Sequence, residues 1–352
     1  MSLEAASRNR GSDIPAQPFK DRKFCKVFYS HMVRTRALEE RLIKMMRSGD
    51  GYFWIGGPGE EAFSTALGLL VDKGRGVEHD FLHMHYRSNG VVLTMGAPMI
   101  DFIRQMKNVS TDPFSGGRNF VAHIAKSEWN VLPVTSTIET QFVVAPGTAM
   151  AQARNRKNGL PAGVSIVIGG DAGTAEGDFA SSLVWSSRPG SELPLLMIVT
   201  NNGYGISTQA NTQHGEKLIS DRGRAFGIQT ANTDGNSPEK IWSALESALE
   251  YVRSTGKPYL LEVAVSRLHG HSSSSGALRN ADEFCCIDNF EKKLIKNNWL
   301  TEEEAKQIFA EAHTEAAEAY AQVKGEEWPA AETFQDHTFA NGERGGLPGR
   351  DF

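Results

Sequence analysis

The amino-acid sequence predicts an α/β protein: a parallel sheet with helices on both faces. Three observations carry this expectation. Residues 164–168, 195–199 and 259–265 are short apolar runs with branched side chains, each preceded by Gly or Pro, the pattern of strands. Residues 177–185, between the first two runs, are long enough for a helix, so strand, helix and strand make a βαβ unit. Amphipathic helices flank that unit at both ends of the chain.

The first of these helices spans residues 25–47, where Phe28, Met32, Leu38, Leu42 and Met45 recur on one face among Arg and Glu, and Gly49 and Gly51 end it. A second follows Pro58, over residues 60–70. From about residue 281 the chain returns to helix. Thr301 and Glu304 form a capping-box pattern ahead of Ile308, Phe309, Ala312 and Ala316, which should face one side of a helix reaching about residue 323. There is no internal repeat. Residues 25–325 read as one compact unit between a polar arm (1–24) and a Pro/Gly-rich tail (326–352).

Composition narrows the function. Lys plus Arg number 37 against 42 Asp plus Glu, a net charge of −5, so there is no basic excess to follow a phosphate backbone and nucleic acid is not the expected partner. No apolar run approaches the roughly 18 residues of a membrane helix. The N-terminal residues lack the features of a secretory or transit segment. Three cysteines, Cys25, Cys285 and Cys286, are too few and too poorly spaced for a disulfide framework or a zinc site, so core thiols and a cytoplasmic location are expected. Gly accounts for 35 residues, above the usual share, which suggests tight turns or close backbone approach to a small ligand.

The first strand runs into Gly169, Gly170, Asp171, Ala172 and Gly173, and the second ends at Asn201, Asn202, Gly203 and Tyr204. Both loops leave the carboxyl ends of strands, where ligands of open α/β sheets bind. Asp171 and Asn202 lie about 30 residues apart, one βαβ step, so they can face a single crevice. A carboxylate, an amide oxygen and a backbone carbonyl are hard ligands too few for a cage, the way Mg²⁺ is held when a phosphate completes its octahedron. GGDAGTAEG supplies neither the dinucleotide fingerprint nor the Gly-Lys-Ser/Thr of a P-loop, which argues against a nucleotide-dependent reductase.

GDAGTAEGDF followed by NNGYGIST resembles the thiamine diphosphate motif of alpha subunits of the decarboxylating component of 2-oxo acid dehydrogenase complexes. MVRTRALEERL, GPGEEAF, HYRSNG, GGRNFVAH, TDGN and KPYLLEVAVSRLHGHS are similar to the same family in the same order, over about residues 28–279. The resemblance implies a thiamine diphosphate-binding fold of the diphosphate-binding type. It implies that Asp171, the Asn202 side chain and the Tyr204 carbonyl hold Mg²⁺, with Gly170, Ala172 and Gly173 in the same loop. Tyr86 and Arg87 would bind the diphosphate, an arginine fork suiting phosphate. His271 would lie near the diphosphate and the reacting centre, and Ser136 and Ile138 near the aminopyrimidine. Phe53, Trp54 and Ile55 are expected to line the acyl pocket, with core packing as the alternative. His123 would face the cofactor or a partner, and Glu176 a subunit contact.

The implied activity is thiamine diphosphate-dependent oxidative decarboxylation of a 2-oxo acid, with branched-chain acids slightly favoured over pyruvate, and acyl transfer to the lipoyl domain of an acyltransferase. Acetoin dehydrogenase stays open. One diphosphate-type unit is half of an active site, so the resemblance implies a beta subunit that supplies the pyrimidine-binding domain and its glutamate in an α2β2 heterotetramer. Three departures from the family pattern stand out, two of which, Ala172 and the shortened loop after His271, leave room for a noncatalytic paralogue. Ala172 replaces the motif's second glycine, Thr200 replaces a Glu or Arg, and the loop after His271 is shortened, with Ser272 at a position phosphorylated in some relatives.

Overall fold

The computed structural model describes residues 14–333 and Asp336; the start of the expected polar arm and the remainder of the expected tail lie outside the described residues. In chain order the elements are α1 (Arg22–Ser48), α2 (Glu61–Leu70), β1 (Phe81–His83), α3 (Asn89–Thr94), α4 (Met99–Lys107), α5 (Thr140–Lys157), β2 (Ser165–Gly170), α6 (Gly177–Ser186), β3 (Leu195–Asn201), the hairpin strands β4 (Tyr204–Gly205) and β5 (Thr208–Gln209), α7 (Asp221–Arg224), β6 (Gln229–Asp234), α8 (Pro238–Thr255), β7 (Tyr259–Ala264), α9 (Cys286–Lys296) and α10 (Glu302–Val323). The main sheet is entirely parallel, in the order β1-β2-β3-β7-β6.

Both faces of the sheet are covered, and the strand period of two divides the side chains between them. Ile166, Ile168, Leu196, Ile198 and Leu261 pack into a core shared with α1, α2 and α8. Val167, Leu195, Met197, Val199 and Leu260 face Phe142 of α5 and Phe179 and Leu183 of α6.

The helix boundaries follow local chemistry. Asp21 caps α1 by accepting from the Phe24 N–H at 2.7 Å, and Gly49, with φ of 80°, ends it in the left-handed region that glycine adopts freely. Phe28, Met32, Leu38, Leu42 and Met45 are all buried. The arm therefore stops short of residue 24, and Phe19 within it already packs edge-on against Phe24, Phe28 and Trp242. The capping box at Thr301 is present, and α10 lies along α1 through the Arg34–Glu315 and Lys26–Glu304 ion pairs. Ala312 and Ala316 face the core as expected. Phe309, expected beside them, is instead 48% exposed, because the buried stripe passes through Ala305, Ala312, Ala316 and Ala319. Beyond α10, Glu326 pairs with Arg104 at 2.8 Å and the Trp328 indole donates to the Lys107 carbonyl, so the first residues of the expected tail pack on α4.

The register matters most for the site. Gly170 is paired with Thr200, which sets Asp171 and Asn202 just past adjacent strand ends.

Candidate active site

A cavity of about 520 Å³ opens at the carboxyl ends of β2 and β3. Every site residue expected from the sequence lines it, except Trp54.

Asp171 leads β2 into a helical turn over Ala172–Ala175. It is 2% exposed and its Oδ2 has no hydrogen-bond partner. Burial raises its pKa above the usual carboxylate value, while backbone amides, those of Ala172 and Asn202 among them, favour the charged form. An ionised carboxylate here requires a cation, and its free buried oxygen faces the space where one would sit. Ala172 does not have positive φ, so its methyl costs the turn nothing. A Cβ at Gly205 would meet the Ala172 methyl at 2.6 Å, so the glycine of the facing hairpin gives that methyl its room.

The two adjacent asparagines have separate roles. Asn201 is structural: its amide donates to Glu262 at 2.8 Å and its oxygen accepts from Gly203 N–H. Asn202 lines the cavity and its Oδ1 accepts from the Tyr204 N–H at 3.1 Å, which folds the turn around the cavity. Arg267, unremarked in the sequence, lies over the Tyr204 ring at 4.7 Å and donates to the Ile206 carbonyl at 2.7 Å, bracing that hairpin. Thr200 is buried and makes only a long bond to the Gly169 carbonyl, so it adds no charge.

A second cluster in the lining centres on a buried cation. Arg87 is 6% exposed, and its guanidinium donates to the Gly56 carbonyl at 2.5 Å and to His271 Nδ1 at 3.1 Å. His271 Nδ1 is thereby an acceptor, which leaves the proton of the neutral ring on Nε2. Burial, then Arg87 and Arg267, pushes the His271 pKa down to about 4. Glu60 lies 3.9 Å from Arg87 Nε, and burial raises its pKa to about 8 in spite of that neighbour. Tyr86 stacks on His85 with ring centroids 3.8 Å apart and presents an edge to His271.

Ser136 and Ile138 lie on the segment that enters α5. His123 Nε2 is 2.5 Å from Ser136 Oγ and its Nδ1 donates to the Val121 carbonyl, so the hydroxyl is held by a neutral imidazole. Phe53 packs edge-on against Phe120 and lines the cavity with Ile55. Trp54 corrects the expectation: it is fully buried and points away, its indole N–H donating to Glu39 at 2.9 Å. Between Phe53 and Ile55 the extended chain alternates its side chains, and the middle one goes to the core. The loop after His271 is tied to the same segment: Ser273 N–H donates to the Trp54 carbonyl, and Ser272, 3% exposed, bridges Ile55. Ser272 is therefore inaccessible in this conformation. Glu176 stands exposed at the rim.

The residues present fit a metal-bridged diphosphate. Asp171 offers an unpartnered buried oxygen, Asn202 and Tyr204 surround it, and the Arg87 fork supplies positive charge for an anion. Sequence reasoning did not find His85, Phe120, Glu139 or Gln213 in the lining. For His85 and Glu139, adjacency to Tyr86 and Ile138 was a usable signal, and Phe120 lies within the GGRNFVAH segment; for Gln213 there was none.

The model of the family described as "Dehydrogenase E1 component" matches residues 29–332. Among curated relatives, 2-oxoisovalerate dehydrogenase subunit alpha 1 (mitochondrial) of Arabidopsis thaliana is 29% identical over 88% of this chain and 65% of its own length. The 2-oxoisovalerate dehydrogenase subunit alpha of Bacillus subtilis (strain 168) is 30% identical over 70% of this chain and 71% of its own. The mitochondrial human subunit alpha of the same name is 26% identical over 84% and 66%. The chain thus spans slightly less than two thirds of the Arabidopsis relative.

Proposed function

From the premise that the chain belongs to the dehydrogenase E1 component family, we propose that it is the alpha subunit of a thiamine diphosphate-dependent 2-oxo acid dehydrogenase, acting on branched-chain 2-oxo acids and passing the acyl group to a lipoyl domain. The observation that carries this reading is one cavity lined by both Asp171, with its unpartnered oxygen, and the buried Arg87 fork, a carboxylate for a cation and a guanidinium for an anion. The names of the relatives, all 2-oxoisovalerate dehydrogenase alpha subunits, support the substrate class.

In this reading Asp171, Asn202 and the Tyr204 carbonyl hold Mg²⁺, and Arg87 and Tyr86 bind the diphosphate. When bound, thiamine diphosphate supplies the electron sink for cleavage of the bond to carbon dioxide. The chain's own residues bind and orient. Neutral His271 presents its Nε2–H to the reacting region while Arg87 fixes the ring through Nδ1. Ser136, held by His123, sits at the pyrimidine end. Phe53, Ile55 and Phe120 give the cavity an apolar wall that suits an alkyl side chain and excludes water. The negative φ-side conformation of Ala172 and the room left by Gly205 support a working rather than a noncatalytic site.

A beta subunit is part of the proposal. Val143 and Val144 of α5 and Val184 and Trp185 of α6 are 42–48% exposed, apolar surface of the kind an interface covers. Three buried thiols suit a reducing compartment, which supports a cytoplasmic location.

The test is to produce the chain with a beta-type subunit and measure Mg²⁺-dependent thiamine diphosphate binding, then decarboxylation of 3-methyl-2-oxobutanoate against pyruvate. Binding lost in Asp171→Ala and a preference for the branched acid are expected. An intact assembly that binds no cofactor would overturn the reading.

A further inference from the structure

We propose that Glu139 is a positioning residue of the cofactor cradle: its buried carboxyl group fills the space above Gly173 and holds the metal-site loop against the segment carrying Ser136 and Ile138. The inference rests on the thiamine diphosphate reading and adds to it a residue that links the Gly173 turn to the segment of Ser136 and Ile138.

The geometry is unusual in three respects. Glu139 is not glycine, yet its backbone is left-handed, with φ of 62° and ψ of 4°. Such a conformation in an ordinary residue costs on the order of 1 kcal/mol and persists only where the surroundings enforce it. Its side chain is 1% exposed, and Oε2 has no hydrogen-bond partner although the residue lines the cavity. Finally, a Cβ placed on Gly173 would land on the Glu139 carboxylate, and one on Gly169 would meet the same group together with Phe142.

Neither Gly169 nor Gly173 has positive φ, so the backbone does not demand glycine at either position. At Gly173 a side chain would have to displace the Glu139 carboxylate from the place it occupies. These glycines flank Gly170, Asp171 and Ala172, the turn that presents the unpartnered Asp171 oxygen. On the other side, Glu139 directly follows Ile138 and precedes the first residue of α5. One side chain therefore sets the distance between the metal loop and the pyrimidine segment. A carboxyl used only to fill a core would find a partner for Oε2 or be replaced by an apolar group at lower cost.

The test is a double-mutant cycle on the assembled enzyme, read as thiamine diphosphate affinity at saturating Mg²⁺, with Mn²⁺ binding by electron paramagnetic resonance as a readout independent of turnover. Gly173→Ala alone should weaken cofactor binding by about tenfold or more, a free-energy change of about 1.4 kcal/mol. Glu139→Gly vacates the space and relieves the left-handed backbone. In that background, Gly173→Ala should add less than about threefold. Glu139→Gln, which keeps the shape, should bind within about threefold of wild type, whereas Glu139→Gly alone should lose about tenfold without a fall in the thermal midpoint. Additive penalties from Glu139→Gly and Gly173→Ala, or unchanged affinity in Glu139→Gly, would overturn the inference while wild-type binding left the functional reading standing. A wild-type assembly that binds no thiamine diphosphate overturns both.

Discussion

Replacing Arg87 by lysine keeps a positive charge in the cavity and removes the fork. Arg87 spans two acceptors, the Gly56 carbonyl at 2.5 Å and His271 Nδ1 at 3.1 Å, from different nitrogens of one rigid plane. A lysine ammonium is a single donor centre on a flexible stem and cannot reach both. At least one charge-assisted hydrogen bond is lost, worth about 1.5–3 kcal/mol. If the diphosphate depends on that preset geometry, its affinity falls by about 10- to 150-fold. The loss has a second signature. His271 is lowered to about 4 first by burial and then by the Arg87 charge; lysine keeps that charge but releases the hydrogen bond that holds Nδ1 unprotonated, so its titration should move upward slightly while burial keeps it below the ordinary histidine value. Thiamine diphosphate binding by isothermal titration calorimetry at saturating Mg²⁺ measures the first effect, and NMR of the imidazole protons in the cofactor-free chain measures the second. A lysine variant that binds within about threefold of wild type, with His271 titrating as before, would refute the argument that the fork orders this end of the cavity.

Other perturbations test the frame around the site. Arg36 and Glu61 form a buried ion pair at 2.7 Å, so Arg36→Met leaves the buried Glu61 carboxylate without a cation, held by the Gly59 N–H and the Cys286 thiol, and should cost about 3–5 kcal/mol, seen as a large drop in thermal midpoint. Thr301→Ala removes the capping box of α10 and should cost about 0.5–2 kcal/mol in denaturant unfolding while leaving cofactor affinity unchanged. His83 is buried, hydrogen-bonded to Thr148 and lowered by burial to a pKa of about 3. The folded chain therefore binds fewer protons than the unfolded chain between that value and about 6.5. Its contribution to stability is full above that range and is lost as pH falls through the folded value. His83→Gln should make the acid limb of a midpoint-against-pH curve shallower, and an unchanged limb would count against it.

The sequence alone determined the layers and the location of the chemistry. Apolar runs with their flanking glycines marked β2, β3 and β7, and the spacing of α6 between the first two required a parallel pair. Asp171 and Asn202 had to emerge on neighbouring strands because one βαβ step separates them. These features are local: periodicity and turn residues act over a few positions and can be read along the chain. Tertiary structure decided what depends on direction and on distant neighbours. In the segment Phe53, Trp54, Ile55 composition could not say which ring faced the cavity; the answer came from Glu39 in α1, whose carboxylate draws the Trp54 indole inward. The Ser136 hydroxyl gained its partner only when His123 folded beside it, and His271 acquired its tautomer from Arg87, far away in the chain. Glu139 stands next to Ile138 in the sequence, but its contact with the space over Gly173 could not be read there, because that space exists only once α5 packs on β2.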